Sequence, residues 1–415
     1  MKIGFRHVVG AVLKGWSPPP VFFCRSSPPL FFGLLPIRAG LWLSPAVLLG
    51  TACAEVLRHQ GIQESSRPPR DPIRFRWRKE LTESPPGTYR PEEFATPEID
   101  PSHRRLFVGS NSGTLRAFTL EGGREIWDFK TEGRISSQPL YLGSLETVFA
   151  GSDDGNLYAL SAKDGRKRWS YQTAGMVRRQ PVFSDGLLFF AASPDHLYAV
   201  DPETGRSVWN FSQDRVGMKI DGESGVTVGG GRLFCGFSDG LIIAFELKTG
   251  ELLWRKSLGN DGPDAFNDID GLPVYDEVRR LLFVTSRTEG IWALDPKNGE
   301  TVWHHPLEGA GDPVISFGRL FVPWRGGLAS LNPSTGERNW NNPIRAGTLS
   351  RPVRGGSHLF VTASEGGLFG IDPSTGRIEL FFPPGGGISG SPVVKGSDLF
   401  FISNWGYLYA AEIHQ

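Results

Sequence analysis

Seven stretches of this chain share one spacing, a glycine followed four residues later by a bulky side chain. They are Gly123/Trp127, Gly165/Trp169, Gly205/Trp209, Gly250/Trp254, Gly299/Trp303, Gly336/Trp340 and Gly376/Leu380. Successive glycines lie 42, 40, 45, 49, 37 and 40 residues apart. A period near 40 residues marks repeated supersecondary units, none of which can bury its apolar face alone. The text ahead of the last six glycines is LYALSAKDG, LYAVDPETG, IIAFELKTG, IWALDPKNG, LASLNPSTG and LFGIDPSTG. Each reads as a strand, a short turn ending in glycine, and a second strand carrying the bulky residue. Glycine is required because such hairpin loops hold one residue at positive φ. Asp201, Asp295, Asn332 and Asp372 open four of these turns, where their side-chain oxygens can bond the turn's own amides.

A further strand pair precedes each hairpin, as in PVFSDG–LLFFAAS, PVISFG–RLFVPW and PVVKGS–DLFFISN. One unit is therefore four antiparallel strands, the content of a propeller blade. From Phe94 to Gln415 there is room for about eight such units at roughly 40 residues each. The eighth begins at Ile388 and reaches Gln415 without a bulky-residue strand of its own. The stretch Ile73-Arg74-Phe75-Arg76-Trp77-Arg78-Lys79-Glu80-Leu81 supplies a strand with the right tryptophan at the other end of the chain. Docking it beside the last strand closes the ring and leaves no blade short of an outer strand. The expected fold is all-β, an eight-bladed propeller over 74–415 closed by its N-terminal strand.

Lys+Arg and Asp+Glu both number 44, so the chain is neutral and lacks the basic stripe that nucleic-acid binding needs. Its 53 Gly and 28 Phe suit many tight turns between aromatic-rich strands. Cys24, Cys53 and Cys235 are too few and too scattered for a disulfide scaffold or a zinc site. The eight histidines recur at no fixed position in the repeat, and His304-His305 reads as a solvated pair on an outer strand. No GxSxG, HExxH or P-loop occurs. Gly385 to Gly390 spells GxGxxG but leads into a strand, so the helix N-terminus that holds pyrophosphate is missing. Gly151-Ser152-Asp153-Asp154-Gly155 is acidic but reads as a β-turn without calcium-loop spacing. No catalytic residue, cofactor site or metal site is assigned.

The first 73 residues differ from the rest. After Arg38 comes the apolar run AGLWLSPAVLLGTA and then Cys53, a positive flank and short hydrophobic core of secretory type, too short for a membrane span of about 20 residues. Residues 1–53 read as an atypical leader and signal peptide, and 54–73 as a polar tether. Leu49-Gly50-Thr51-Ala52-Cys53 resembles a bacterial lipobox, which implies lipidation of Cys53; ordinary cleavage and an uncleaved anchor are the competing readings.

LYAVDPETGRSVW and IWALDPKNGETVW resemble the quinoprotein-type (PQQ-like) propeller repeat, a superfamily with both quinone-dependent dehydrogenases and non-catalytic scaffolds. Eight such blades behind a lipobox resemble the BamB family of outer-membrane protein assembly lipoproteins. Gly222-Glu223-Ser224-Gly225-Val226-Thr227 is similar to that family's Gly-Glu-Ser-Ala-Pro-Thr segment. Asp268-Ile269-Asp270-Gly271-Leu272-Pro273-Val274 is similar to its Asp-Val-Asp-x-x-Pro-Val segment one blade on. The resemblance implies that residues just before Gly-Glu-Ser, here Met218, Ile220 and Asp221, touch a periplasmic domain of the barrel-assembly protein; Asp221 stands where the family has arginine. Glu223, Asp268 and Asp270 join the expected contact. Glu223 and Ser224 equally suit a tie between blades, and Asp268 and Asp270 the satisfaction of buried amides.

The expectation is a non-catalytic scaffold of outer-membrane β-barrel assembly, lipid-anchored on the periplasmic face of the outer membrane. Nascent outer-membrane proteins, held at blade edges by β-augmentation, would be further partners that leave no mark in the sequence. The alternatives are a generic partner-binding propeller and a quinone-dependent oxidoreductase. The last would need acidic metal ligands and a stacking tryptophan in the funnel, for which Trp292, Trp324 and Trp405 are the off-pattern candidates.

Overall fold

Eight Phe residues, one in the second strand of each repeat, have no exposed surface in the computed structural model: Phe107, Phe149, Phe189, Phe234, Phe283, Phe321, Phe360 and Phe400. Burial of a ring this size stabilises by about 2–3 kcal/mol. The structure describes residues 72–81, 93–213, 224–259 and 269–414. The unit Met1–Val47 lies outside them; all that follows concerns the unit Leu48–Gln415.

The described residues form eight four-stranded antiparallel sheets. Blades 1 to 7 span residues 98–130, 140–172, 182–212, 226–257, 274–305, 314–342 and 353–382. Blade 8 takes Val393–Lys395, Asp398–Ile402 and Tyr407–Ile413 from the C-terminus and its outer strand, Ile73–Glu80, from the N-terminal side. That strand pairs with Tyr407–Ile413 from Ile73 opposite Ile413 to Glu80 opposite Tyr407. The short first strands of neighbouring blades lie beside each other, including those of blades 8 and 1, so they surround the axis. The expected eight-bladed ring and its N-terminal closure are both present.

The apolar core is divided among the eight blade interfaces, and the repeated glycine and tryptophan account for its regularity. Within a blade the outer-strand Trp sits 5.6–6.0 Å from the buried Phe, from Trp127 on Phe107 to Trp77 on Phe400. Opposite each bulky residue on the third strand is a small one: Ala117, Ala159, Ala199, Ala244, Ala293, Ser330, Gly370 and, across from Trp77, Ala410.

The indole then reaches the glycine turn of the next blade. Trp169 donates Nε1–H to the Pro202 carbonyl at 3.1 Å, and its ring covers Gly205, where an added Cβ would stand 2.7 Å from the ring. The same arrangement links Trp77 to Leu120 and Gly123, Trp127 to Ala162 and Gly165, and so on to Trp340 with Pro373 and Gly376. Glycine is needed twice at these turns, for φ of 58–76° and for the space beneath the ring.

Leu380 breaks the series for a topological reason. The next blade is blade 8, whose outer strand comes from the other end of the chain, so the turn that would supply the carbonyl and the glycine does not exist. Ile73 and Ile413 pack there beside Leu380.

The turn-opening side chains behave as expected. Asp201 Oδ1 accepts the Thr204 amide at 2.8 Å and the Glu203 amide at 3.0 Å, and Asp295, Asn332 and Asp372 do likewise. Among the described residues, no helix is long and apolar enough to cross a membrane.

Candidate functional site

Antiparallel strands alternate direction, so the glycine turns gather on one face of the ring. The connectors from each outer strand to the next blade gather on the other. Most connectors end in a residue followed by proline, which holds the chain extended as it enters the first strand. Side chains and amides at these positions bond the neighbouring blade around the axis. Gln180 Nε2–H donates to the Pro139 carbonyl at 2.9 Å, Gln138 Nε2–H to Glu98 Oε2 at 2.9 Å, and the Ser391 amide to Thr96 Oγ1 at 3.2 Å. Asp312 Oδ1 accepts the Leu272 amide at 2.8 Å.

Arg179, next to Gln180, does something different. Its guanidinium meets Asp312 Oδ2 at 2.8 Å and also donates to the Asp270 carbonyl. Arg179 leads into blade 3, Asp270 into blade 5 and Asp312 into blade 6. Blades 3 and 6 are three places apart in a ring of eight, so this ion pair crosses the mouth of the axial channel. The arginine stem passes Gly225 at van der Waals distance, and the side chain that an added Cβ there would strike is Leu272, at 2.6 Å.

Burial alone would raise the Asp312 carboxyl. The Arg179 charge, the Leu272 amide and the Arg351 charge outweigh burial and hold it below the usual carboxylate range. Arg351, at the equivalent position of blade 7, is lowered from its ordinary value by burial, with Asp312 opposing and Arg179 reinforcing that shift.

The segment Asp270–Gly271–Leu272 is fastened at every residue. Arg179 takes the Asp270 carbonyl, Ser224 Oγ–H donates to the Gly271 carbonyl at 3.2 Å, and Asp312 takes the Leu272 amide. Arg287 Nε meets the Asp270 carboxylate at 2.9 Å, an exposed pair of small energetic weight. Gly271 has no room for a side chain, since a Cβ there would fall 1.8 Å from Thr285 Oγ1. Ser224 ties blade 4 to blade 5 and also accepts the Gly236 amide at 3.2 Å.

Of the residues singled out in sequence, Asp270 is thus placed at the axial mouth beside Ser224. Met218, Ile220, Asp221, Glu223, Asp268 and Cys53 lie outside the described residues.

The remaining sequence candidates do not gather at the axis. Trp292 packs between blades 4 and 5, and the ring of His304, an exposed residue, is stacked on it at 3.9 Å. Trp324 packs between blades 5 and 6 and donates to Asn341 Oδ1 at 2.8 Å. Trp405 is half-exposed and lies against Gly385 and Gly386, and the GxGxxG text is a blade connector, between Ile378–Phe382 of blade 7 and Val393–Lys395 of blade 8. Asp154 is occupied by Asn156 and Tyr158, and Asp153 by Arg178.

Cys235 is buried, and its thiol is pushed up by burial and by the charge of Asp195. It borders a cleft of about 20 Å³ between blades 3 and 4, also lined by Met176, Ser193, Asp195 and Phe237. That space suits about one water molecule. Among the described residues no three His, Cys, Asp or Glu side chains cluster as a metal site.

Two glutamates at the start of blade 1 are raised to about 7. For Glu93, burial is the cause, only partly offset by the Asn111 and Ala95 amides and the charges of Arg134 and Arg116. For Glu98, burial is again the cause, offset by Gln138, the Tyr141 amide and Lys395.

Arg179, Asp312 and Arg351 were not singled out in sequence. Their one signal is alignment of the lead-in texts QPL, QPV, LPV, DPV, RPV and SPV, two of which place a charge, Asp312 and Arg351, where the others are neutral, while Arg179 stands one residue earlier, where the others have Gly or Ser.

Residues 111–288 and 217–415 match the sequence model of the family described as outer membrane protein assembly factor BamB. The protein of that name from Vibrio cholerae is 30% identical over 229 residues, 54% of this chain and 59% of that protein. Quinoprotein ethanol dehydrogenase from Pseudomonas aeruginosa is 27% identical over 138 residues, 30% of this chain and 22% of the enzyme. The chain therefore spans less than two thirds of the length of either relative. The crystal structure of BamB from Moraxella catarrhalis superposes with a TM-score of 0.70 at 19% identity, covering 82% of this chain and 100% of that one, a likeness of fold.

Proposed function

The chain belongs to the family of outer membrane protein assembly factor BamB, and from that premise we propose that it is a non-catalytic scaffold of outer-membrane β-barrel assembly. A lipid on Cys53 would hold it at the periplasmic face of the outer membrane, firmly only with more than one acyl chain. The connector face would dock periplasmic domains of the barrel-assembly protein, with Met218, Ile220, Asp221 and Glu223 on one connector and Asp268 and Asp270 on the next.

The observation that supports this reading is the bond from Ser224 to the Gly271 carbonyl. It joins the described ends of these two connectors, so residues from two blades serve as one surface. No chemistry is required of it. The bond sets the described ends of the two connectors relative to each other, which reduces the ordering cost of association.

The second reading, a quinone-dependent oxidoreductase, rests on the match to the alcohol dehydrogenases. The axial residues do not fit a quinone with a divalent cation. A guanidinium–carboxylate pair crosses the mouth, and the described residues offer no cluster of three donors.

Mild crosslinking of the full-length protein in native membranes, with mass spectrometry of the partners, tests the scaffold. Recovery of the barrel-assembly protein, lost on changing Met218 and Ile220 to Glu, supports the reading and its surface. Recovery of no assembly component sinks it. In the same membranes Cys53→Ser should move the protein to the soluble fraction, and retention in the membrane would refute the lipid anchor.

A further inference from the structure

We infer that Arg179 is a positioning residue for the docking surface: by crossing the axial mouth it fixes the Asp270–Leu272 segment in the arrangement a partner meets. The inference rests on the docking reading above and adds a residue from blade 3 that belongs to neither connector.

Three observations carry it. First, Arg179 holds the Asp270 carbonyl directly and, through Asp312, the Leu272 amide. The two ends of a three-residue segment are thereby set from one guanidinium. Second, the reach is built into the fold. Arg179 stands on the lead-in to blade 3, and its planar fork offers N–H groups on two nitrogens, Nη1 to Asp312 and Nη2 to the Asp270 carbonyl, where a lysine has a single nitrogen. Third, the ring does not depend on the pair for closure. The eight interfaces are held by the apolar clusters and the indole contacts, and Asp312 retains the Leu272 amide and the nearby Arg351 charge if Arg179 is removed. Loss of Arg179 should therefore loosen one surface segment and leave the propeller folded.

The test uses full-length protein titrated with the purified periplasmic domains of the same organism's barrel-assembly protein, with Kd and Tm measured side by side. Arg179→Met should raise Kd at least tenfold with Tm within a few degrees of the parent. Arg179→Lys, which keeps the charge but not the fork, should stay weakened. Arg178→Met, whose parent side chain pairs with Asp153 on the blade 2 side, should bind like the parent. If Arg179→Met fails to fold, Asp312→Asn replaces it; an amide oxygen still accepts from Leu272 while the ion pair is gone, and the same rise in Kd is expected. Unchanged Kd in a folded variant overturns the positioning role and leaves the docking reading standing. A parent protein that does not bind overturns both.

Discussion

Two glycines of blade 3 make a matched experiment on what holds neighbouring blades together. Gly186 has φ 82° and Gly205 has φ 70°, both in the left-handed region. Around Gly186 nothing lies within 4 Å of an added Cβ. At Gly205 that atom would stand 2.7 Å from Trp169 Cδ2 and 2.8 Å from Cε3. Alanine at positive φ costs about 1–2 kcal/mol, of which roughly 0.4–1 kcal/mol is returned by the smaller entropy of the unfolded chain. Gly186→Ala should therefore destabilise by about 1 kcal/mol. Gly205→Ala adds overpacking against a ring that is itself wedged on Phe149, about 1–3 kcal/mol more.

The assay is urea unfolding followed by far-ultraviolet circular dichroism, with Trp169→Ala as the third variant. Trp169→Ala alone costs about 3–5 kcal/mol, since it empties part of the interface and leaves the Pro202 carbonyl without its indole. With the ring gone, Gly205→Ala should fall to the cost of Gly186→Ala, giving a coupling of about 1–3 kcal/mol. Equal costs for the two glycine variants in the parent protein, or no coupling with Trp169, would refute the account of the interfaces.

Glu93→Gln tests the buried carboxyl beside blade 1. A folded pKa raised from 4.5 to about 7 means that the folded state prefers the protonated acid. The stability this brings is fully present below pH 4.5 and is lost as pH rises through about 7. The interval corresponds to about 3 kcal/mol at 1.36 kcal/mol per pH unit. The amide stays neutral and keeps an oxygen for the Asn111 amide, so the variant should match the parent near pH 4 and exceed its stability at pH 8. A difference that does not change between pH 4 and pH 8 would show the carboxyl to be unperturbed. Leu380→Trp restores the repeat's residue where no receiving turn exists, and should destabilise by about 1–3 kcal/mol through overpacking and an unpartnered indole N–H. A gain in the urea midpoint would contradict the topological reason given for the leucine.

The ring was legible because its determinants are local and repeated. A turn that must take positive φ under an indole can use only glycine, so Gly205 and its six counterparts stand out at a fixed distance before a bulky residue. Trp77 was legible by the same rule, since an outer strand without a third strand before it must belong to the blade that lacks one. Leu380 was visible as an exception, but its cause depends on which blade follows it in space.

The candidate site obeys no such rule. Arg179 and Asp312 are separated by 133 residues, and nothing in the text around either one specifies a partner; the ring's closure alone brings them across the axis. Asp270 was singled out through family resemblance, whereas its carbonyl is held by Arg179 and the two residues after it by Ser224 and Asp312, from three other blades. A surface assembled this way lets connector sequences change while the residues that hold them stay on the inner strands' lead-ins.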